Sequence, residues 1–349
     1  MPADAYHQEE DQKNFLKLQE LIEGLPPFVS TFFLGIQNRM VRTRLAYAYD
    51  LTLFFEYLAD HHPDFAGKPL SQIRPEDMQA VTTEDIDLFL NHVTYYRREL
   101  KTGTRSRKND EKGKARKLAA LRALFKFLYK RKAIAADPAG LVEGPKIHDK
   151  AIIRLEPNEV ARLLDVAESG EGLTKQQKAY HKKTRDRDLA LLSLLAGTGM
   201  RVSECVGIDV GHLDFEQNAV LVTRKGGNQA SLYFGDEVRE ALLQYLNTRP
   251  GVRPEEPLFL SGRGTRITVR AVENLVKKYA GPVVGGAKNI SPHKLRSTYG
   301  TNLYRATGDI YLVADVLGHK DVNTTRKHYA AIEEDRRRRA AQYINLRKD

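Results

Sequence analysis

Residues 186–204 read DRDLALLSLLAGTGMRVSE. The spacing predicts a long apolar helix over 186–196, which Gly197-Thr198-Gly199-Met200 ends and after which Arg201 starts the next helix. Upstream, 157–168 reads as another helix behind Pro157. Downstream comes the one clear β signal of the chain: Ala219-Val220-Leu221-Val222-Thr223, a Lys225-Gly226-Gly227-Asn228 turn, then Ser231-Leu232-Tyr233-Phe234. Helical patterns resume at 236–247, at 268–279 and after Pro292. This half of the chain is therefore mostly helical with a small antiparallel sheet.

The half before it shows no alternating strand pattern ahead of residue 140. A helix over 39–58 carries Leu45, Tyr49, Leu53 and Tyr57 at four-residue steps, widened by Tyr47, Leu51 and Phe54. Thr82 and Asp85 have capping-box spacing before Ile86, Phe89, Leu90 and Val93. Over 117–130, Leu118, Leu121, Leu124, Phe125 and Leu128 form an apolar stripe, while Arg122, Lys126 and Lys130 recur on another face. The segment 101–114, with Gly103, Ser106 and Gly113, reads as a mobile basic loop. Asp137-Pro138-Ala139-Gly140 breaks the last helix, and 145–153 lacks helical periodicity. That linker, extended, spans roughly 25–30 Å, which allows two domains to close on a duplex from opposite faces or to pack side by side. The expected organisation is mainly α: an extension over 1–30, a helical bundle over 31–137, a linker over 138–153, a catalytic domain over 154–329 and a final helix over 330–349.

At 349 residues the chain has room for two domains, each with its own core. Its single cysteine, Cys205, excludes a disulfide framework and any multi-cysteine metal site, and reads as a small core residue. There is no apolar run near 18 residues and no signal-peptide pattern, so a cytoplasmic protein is expected. The net charge of +11 is concentrated. Residues 97–132 hold fifteen Lys or Arg against Glu99, Asp110 and Glu111, a net +12. A helix with one apolar and one basic stripe can lay the latter along a phosphate backbone or into a major groove. Arg105, Arg107, Lys108, Arg122, Lys126 and Lys130 are the candidate DNA contacts.

Five short features of the second half are each ordinary alone. Arg201 could be a surface ion pair and Lys225 a solvated turn residue. His293 and Arg296 share a helix face after Ser291-Pro292. His319 follows Leu317-Gly318 at a helix end, and Tyr329 lies ten residues further on. In this order, with steps of 24, 68, 3, 23 and 10, the set resembles the tyrosine recombinase (phage integrase) family, whose catalytic residues are Arg, Lys, His-x-x-Arg, His or Trp, and Tyr. Arg201, Lys225, His293, Arg296, His319 and Tyr329 fill all six places. Thr198-Gly199-Met200-Arg201-Val202-Ser203-Glu204 is similar to the first family box, and Leu317-Gly318-His319-Lys320-Asp321 with Thr324-Thr325 to the last.

The resemblance covers nearly the whole chain. It implies a SAM-like helical core-binding domain followed by a DNA breaking-rejoining catalytic domain. The implied chemistry is attack by Tyr329 on a DNA phosphodiester, giving a 3′-phosphotyrosine and a free 5′-hydroxyl. Two arginines would stabilise the growing phosphate charge, His293 would handle the tyrosine proton and Lys225 would protonate the leaving oxygen. His319 would hydrogen-bond the phosphate or support Tyr329. No metal, ATP or other cofactor is implied. The implied partners are double-stranded DNA and further copies of the chain, as monomers or dimers on each site and a tetramer on two sites. Strand exchange would pass through a Holliday junction, with a DNA translocase or accessory regulator as a further partner. The final helix would dock on a neighbouring protomer or pack on its own domain.

An Xer-like role in chromosome or plasmid dimer resolution, in a nucleoid-associated cytoplasmic enzyme, is the expected subclass. A mobile-element integrase, a topoisomerase of the same chemistry and a silent DNA-binding module are the alternatives. Glu204 either orients Arg201 or is a surface acid. The chain departs from the family pattern at Asn228, Gln229 and Ala230, where a further basic residue is usual, and at Ser297, where histidine is common.

Overall fold

The structure, a computed structural model, describes residues 5–100, 103–147, 153–224, 227–286, 288–318 and 322, with the backbone alone at 5, 7, 97–100 and 103–108. The described residues divide into two mainly helical units, His7–Lys150 and a second that runs on from Ala151 and also takes in Tyr6 at the start of the first helix. Each surrounds its own apolar core. No helix among the described residues is long and apolar enough to cross a membrane.

The first unit holds α1 (Ala5–Glu23), α2 (Phe28–Gly35), α3 (Val41–His61), α4 (Thr83–His92), β1 (Tyr95–Leu100), β2 (Gly103–Lys108), α5 (Glu111–Lys130) and α6 (Pro138–Leu141). Residues 1–30, expected to be an extension ahead of the bundle, supply Leu18, Leu25 and Val29 to its core. The buried line of α3 runs through Tyr47, Leu51, Phe54 and Leu58, and Tyr49 is exposed. Of the four-step series, Leu53 is buried and Leu45 and Tyr57 pack against the core, so Tyr49 alone of the four is exposed. The capping box forms at the start of α4: Asp85 N–H donates to Thr82 Oγ1 at 3.2 Å and Thr82 N–H to Asp85 Oδ2 at 2.8 Å. Phe54 meets Phe89 of α4 and Phe125 of α5 edge-on, at centroid distances of 5.1 and 6.2 Å. Such pairs add about 0.5–1.5 kcal/mol each beyond their buried area and lock three helices together. The apolar stripe of α5 is buried from Leu118 to Leu128, as its spacing predicts.

The expected loop over 101–114 is corrected. β1 and β2 pair antiparallel from Tyr95↔Lys108 to Leu100↔Gly103, and α5 has begun by Glu111 behind the N-cap Asp110, which accepts from Gly113 N–H at 3.0 Å. Thr104, Arg105, Ser106 and Arg107 are polar at both alternating sets of positions, so no apolar period marks the strand. A backbone ladder holds such a ribbon without a hydrophobic face.

The second unit holds α7 (Pro157–Ser169), α8 (Lys175–Thr198), α9 (Val202–Val206), β3 (Leu213–Asp214), β4 (Ala219–Thr223), β5 (Gln229–Tyr233), α10 (Asp236–Asn247), α11 (Val269–Val284), α12 (Pro292–Thr307) and α13 (Ile310–Leu317). The sheet is antiparallel in the order β3-β4-β5. The apolar run of α8 buries Leu191, Leu192, Leu194 and Leu195 because α7, α10 and α12 all pack on it. The far end of α8 is thereby fixed relative to α12.

Candidate functional site

α8 ends on Gly199, whose φ of +62° is the left-handed cap that glycine adopts without strain. The ring of Tyr299 on α12 occupies the space a Cβ would need, with its Cγ 2.9 Å from that position. Met200 is buried, and Arg201 is the N-cap of α9. Glu204, one turn on, is buried and takes both of its partners from Arg201. Arg201 N–H donates to Oε2 and Nη1–H to Oε1, each at 2.7 Å. Of the two readings of Glu204, the orienting one holds. Cys205 lies in the core, and burial pushes its thiol pKa well up, so the neutral thiol is the stable form there.

Arg296 sits in the first turns of α12 behind Pro292 and is buried. Its Nη1–H donates to Gly199 O at 2.8 Å and its Nη2–H to Leu317 O. Arg201 Nη2–H reaches Gly318 O at 3.4 Å. Gly318 is itself the left-handed cap of α13, at φ +62°. The carbonyls of a helix's last turn have no partner within the helix and carry the negative end of its dipole, so they attract cations. Two of them here draw Arg201 and Arg296 together from α9 and α12. A third carbonyl, Val316 O, accepts from Arg224 Nη2–H at 3.1 Å.

His293, three residues before Arg296, is exposed at the start of α12, and its carbonyl accepts from Ser297 Oγ–H at 3.0 Å. Ser297 thus serves its own helix where the resemblance has histidine. Arg224 N–H donates to Asn228 O at 2.7 Å, and Gly227 N–H to Arg224 O at 3.1 Å, which closes the β4–β5 hairpin. Lys225, His319 and Tyr329 lie outside the described residues, as does the final helix expected over 330–349. Arg201 and Arg296 thus end on adjacent carbonyls, Gly318 O and Leu317 O. Arg224 was not singled out, because its partner is 92 residues away in the chain.

In the first unit, Lys126 and Lys130 are exposed on α5. Arg122 has a structural duty: its Nε–H donates to Ala139 O at 3.2 Å and its Nη2–H to Val142 O at 2.6 Å, fastening α5 to α6. On β2, Arg105 stands opposite Arg98, Arg107 opposite Tyr96 and Lys108 opposite Tyr95.

The mainly helical architecture with its three-stranded antiparallel sheet recurs in solved structures. The solved structure of the XerH site-specific recombinase bound to palindromic difH substrate superposes with a TM-score of 0.61 at 20% identity, over 87% of this chain and 80% of that one. A lambda integrase (75–356) dimer bound to a COC′ core site gives 0.61 at 15% identity, over 86% and 94%. Residues 153–336 match the phage integrase family. The tyrosine recombinase XerC of Caldanaerobacter subterraneus subsp. tengcongensis is 33% identical over 309 residues, 86% of this chain and 82% of that protein. That of Syntrophus aciditrophicus is 31% identical over 304 residues, 84% and 88%. The chain belongs to the phage integrase family, the tyrosine-type site-specific DNA recombinases.

Proposed function

We propose that the chain is an Xer-like recombinase that cuts and rejoins DNA at a specific site through Tyr329. The Tyr329 oxygen attacks the scissile phosphorus; a P–Oη bond forms and the P–O5′ bond breaks. The tyrosine proton passes to His293, and Lys225 gives a proton to the departing 5′-oxygen. Arg201 and Arg296 face the non-bridging oxygens, where negative charge grows during attack. His319 hydrogen-bonds that phosphate or supports Tyr329. The product is a 3′-phosphotyrosine and a free 5′-hydroxyl. Because the phosphoester energy stays in the protein–DNA link, attack by a new 5′-hydroxyl rejoins the strand with no ATP.

The observation that carries this reading is the convergence of Arg201 and Arg296 on Gly318 O and Leu317 O, immediately before His319. The similarity to XerC proteins over more than four-fifths of the chain supports dimer resolution by a tetramer through a Holliday junction. In this reading Arg105, Arg107, Lys108, Lys126 and Lys130 meet DNA phosphates, and residues 330–349 dock on a neighbouring protomer.

The test starts by selecting the bound sequence from random duplexes. A nicked suicide duplex of that sequence is then expected to trap a covalent adduct. Tyr329→Phe should give none; an adduct from that variant would overturn the nucleophile assignment.

A further inference from the structure

The site contains a third arginine that the six-residue set does not include. Arg224 immediately precedes Lys225 at the mouth of the β4–β5 hairpin. Its backbone is bonded on both sides of that mouth, accepting from Gly227 N–H at 3.1 Å and donating to Asn228 O at 2.7 Å. Its side chain leaves the hairpin altogether and donates to Val316 O on α13 at 3.1 Å. The guanidinium packs against Gly318, where a Cβ would come within 2.6 Å of its Cζ. Val316, Leu317 and Gly318 therefore offer three successive carbonyls to Arg224, Arg296 and Arg201. The hairpin that carries Lys225 and the two site arginines share one anchor.

We propose that Arg224 is a positioning residue for proton delivery: it fastens the hairpin bearing Lys225 to the helix end that holds Arg201 and Arg296. A two-stranded tip has little of its own to fix it in space, and a general acid displaced by about 1 Å loses on the order of a hundredfold in rate. A single side-chain hook from the residue next to the lysine limits that displacement. The inference rests on the reading of Tyr329 as nucleophile and Lys225 as acid.

The experiment compares two suicide duplexes of the selected sequence. One has the natural 5′-oxygen at the scissile phosphate, and the other has a 5′-bridging sulfur. Cleavage of the second breaks a P–S bond and releases a thiolate, a leaving group that needs no proton. Lys225→Ala calibrates the assay: it should be slow on oxygen and near the parent rate on sulfur. Arg224→Ala is expected to follow the same pattern, slowed about thirtyfold on oxygen and less than about threefold on sulfur. Its activity on sulfur also shows that it is folded. Arg224→Lys, which retains one donor for Val316 O, should recover most of the oxygen rate.

If Lys225→Ala is spared on sulfur while Arg224→Ala is slowed equally on both duplexes, or on neither, the role given to Arg224 is wrong and the reading of Lys225 stands. If Lys225→Ala is not spared on sulfur, Lys225 is not the acid and the proposal falls with that assignment.

Discussion

Replacing Glu204 by glutamine separates charge from shape in the support of Arg201. The carboxylate accepts two hydrogen bonds of 2.7 Å, from the backbone and the guanidinium of the same residue. Glutamine fills the same volume but offers one acceptor oxygen, so its amide N–H would face an N–H of Arg201. One charge-assisted bond is lost, worth about 1.5–3 kcal/mol in general. The Glu204 side chain is 3% exposed but that of Arg201 is 34% exposed, so water recovers part of the loss and the lower half of the range applies. About 2 kcal/mol is expected, equivalent to about thirtyfold in a rate or an equilibrium. Urea unfolding should show a midpoint lower by about 1 M for a slope of about 2 kcal/mol/M. Single-turnover adduct formation on the suicide duplex should slow by about ten- to thirtyfold. An unchanged midpoint together with an adduct rate within about twofold of the parent would refute the view that Glu204 holds the guanidinium in place.

Other substitutions test separate parts of the structure. Gly199→Ala forces a Cβ into a left-handed backbone and against the Tyr299 ring; an unfolding free energy lower by about 2 kcal/mol is expected, read by urea titration. Lys126→Gln and Lys130→Gln should each flatten the salt dependence of DNA binding by roughly 0.9 log units if each meets a phosphate, without altering the unfolding midpoint. Arg122→Ala should do the opposite: losing its bonds to Ala139 O and Val142 O, it should cost about 1–2 kcal/mol of stability and leave the salt slope nearly intact. Glu159 accepts from Lys288 Nζ–H at 2.5 Å and from Glu156 N–H at 2.8 Å, and these bonds, the lysine first, hold its pKa below the ordinary 4.5. Its stabilisation is therefore complete above that ordinary value and fades as pH falls through the depressed folded value. The melting temperatures of the parent and of Glu159→Gln should differ at neutral pH and converge in acid. A gap that stays constant down to about pH 2–3 would contradict the assignment.

Legibility in the sequence followed the range over which each cause acts. The capping box of Thr82 and Asp85, the stripe of α5 and the helix break at Gly199 are made by residues within one or two turns, so spacing alone revealed them. The hairpin of β1 and β2 escaped because its residues are polar at both alternating sets of positions, and periodicity reports only burial. Glu204 could be read either way because its burial depends on the packing around α9, which no neighbouring residue encodes. The order of Arg201 and Arg296 in the chain was enough to suggest a pair, but the carbonyls that join them lie 117 and 21 residues away.

The three carbonyls at the end of α13 gather donors from distant parts of the chain. Their donors come from the start of α9, from the mouth of the hairpin and from the first turns of α12, elements that fold from well-separated stretches of chain. A nascent or partly unfolded molecule in which α9 or α12 has not docked cannot bring Arg201 and Arg296 to these carbonyls. For a site-specific DNA recombinase, this ties the pairing of two site arginines to the completion of the fold.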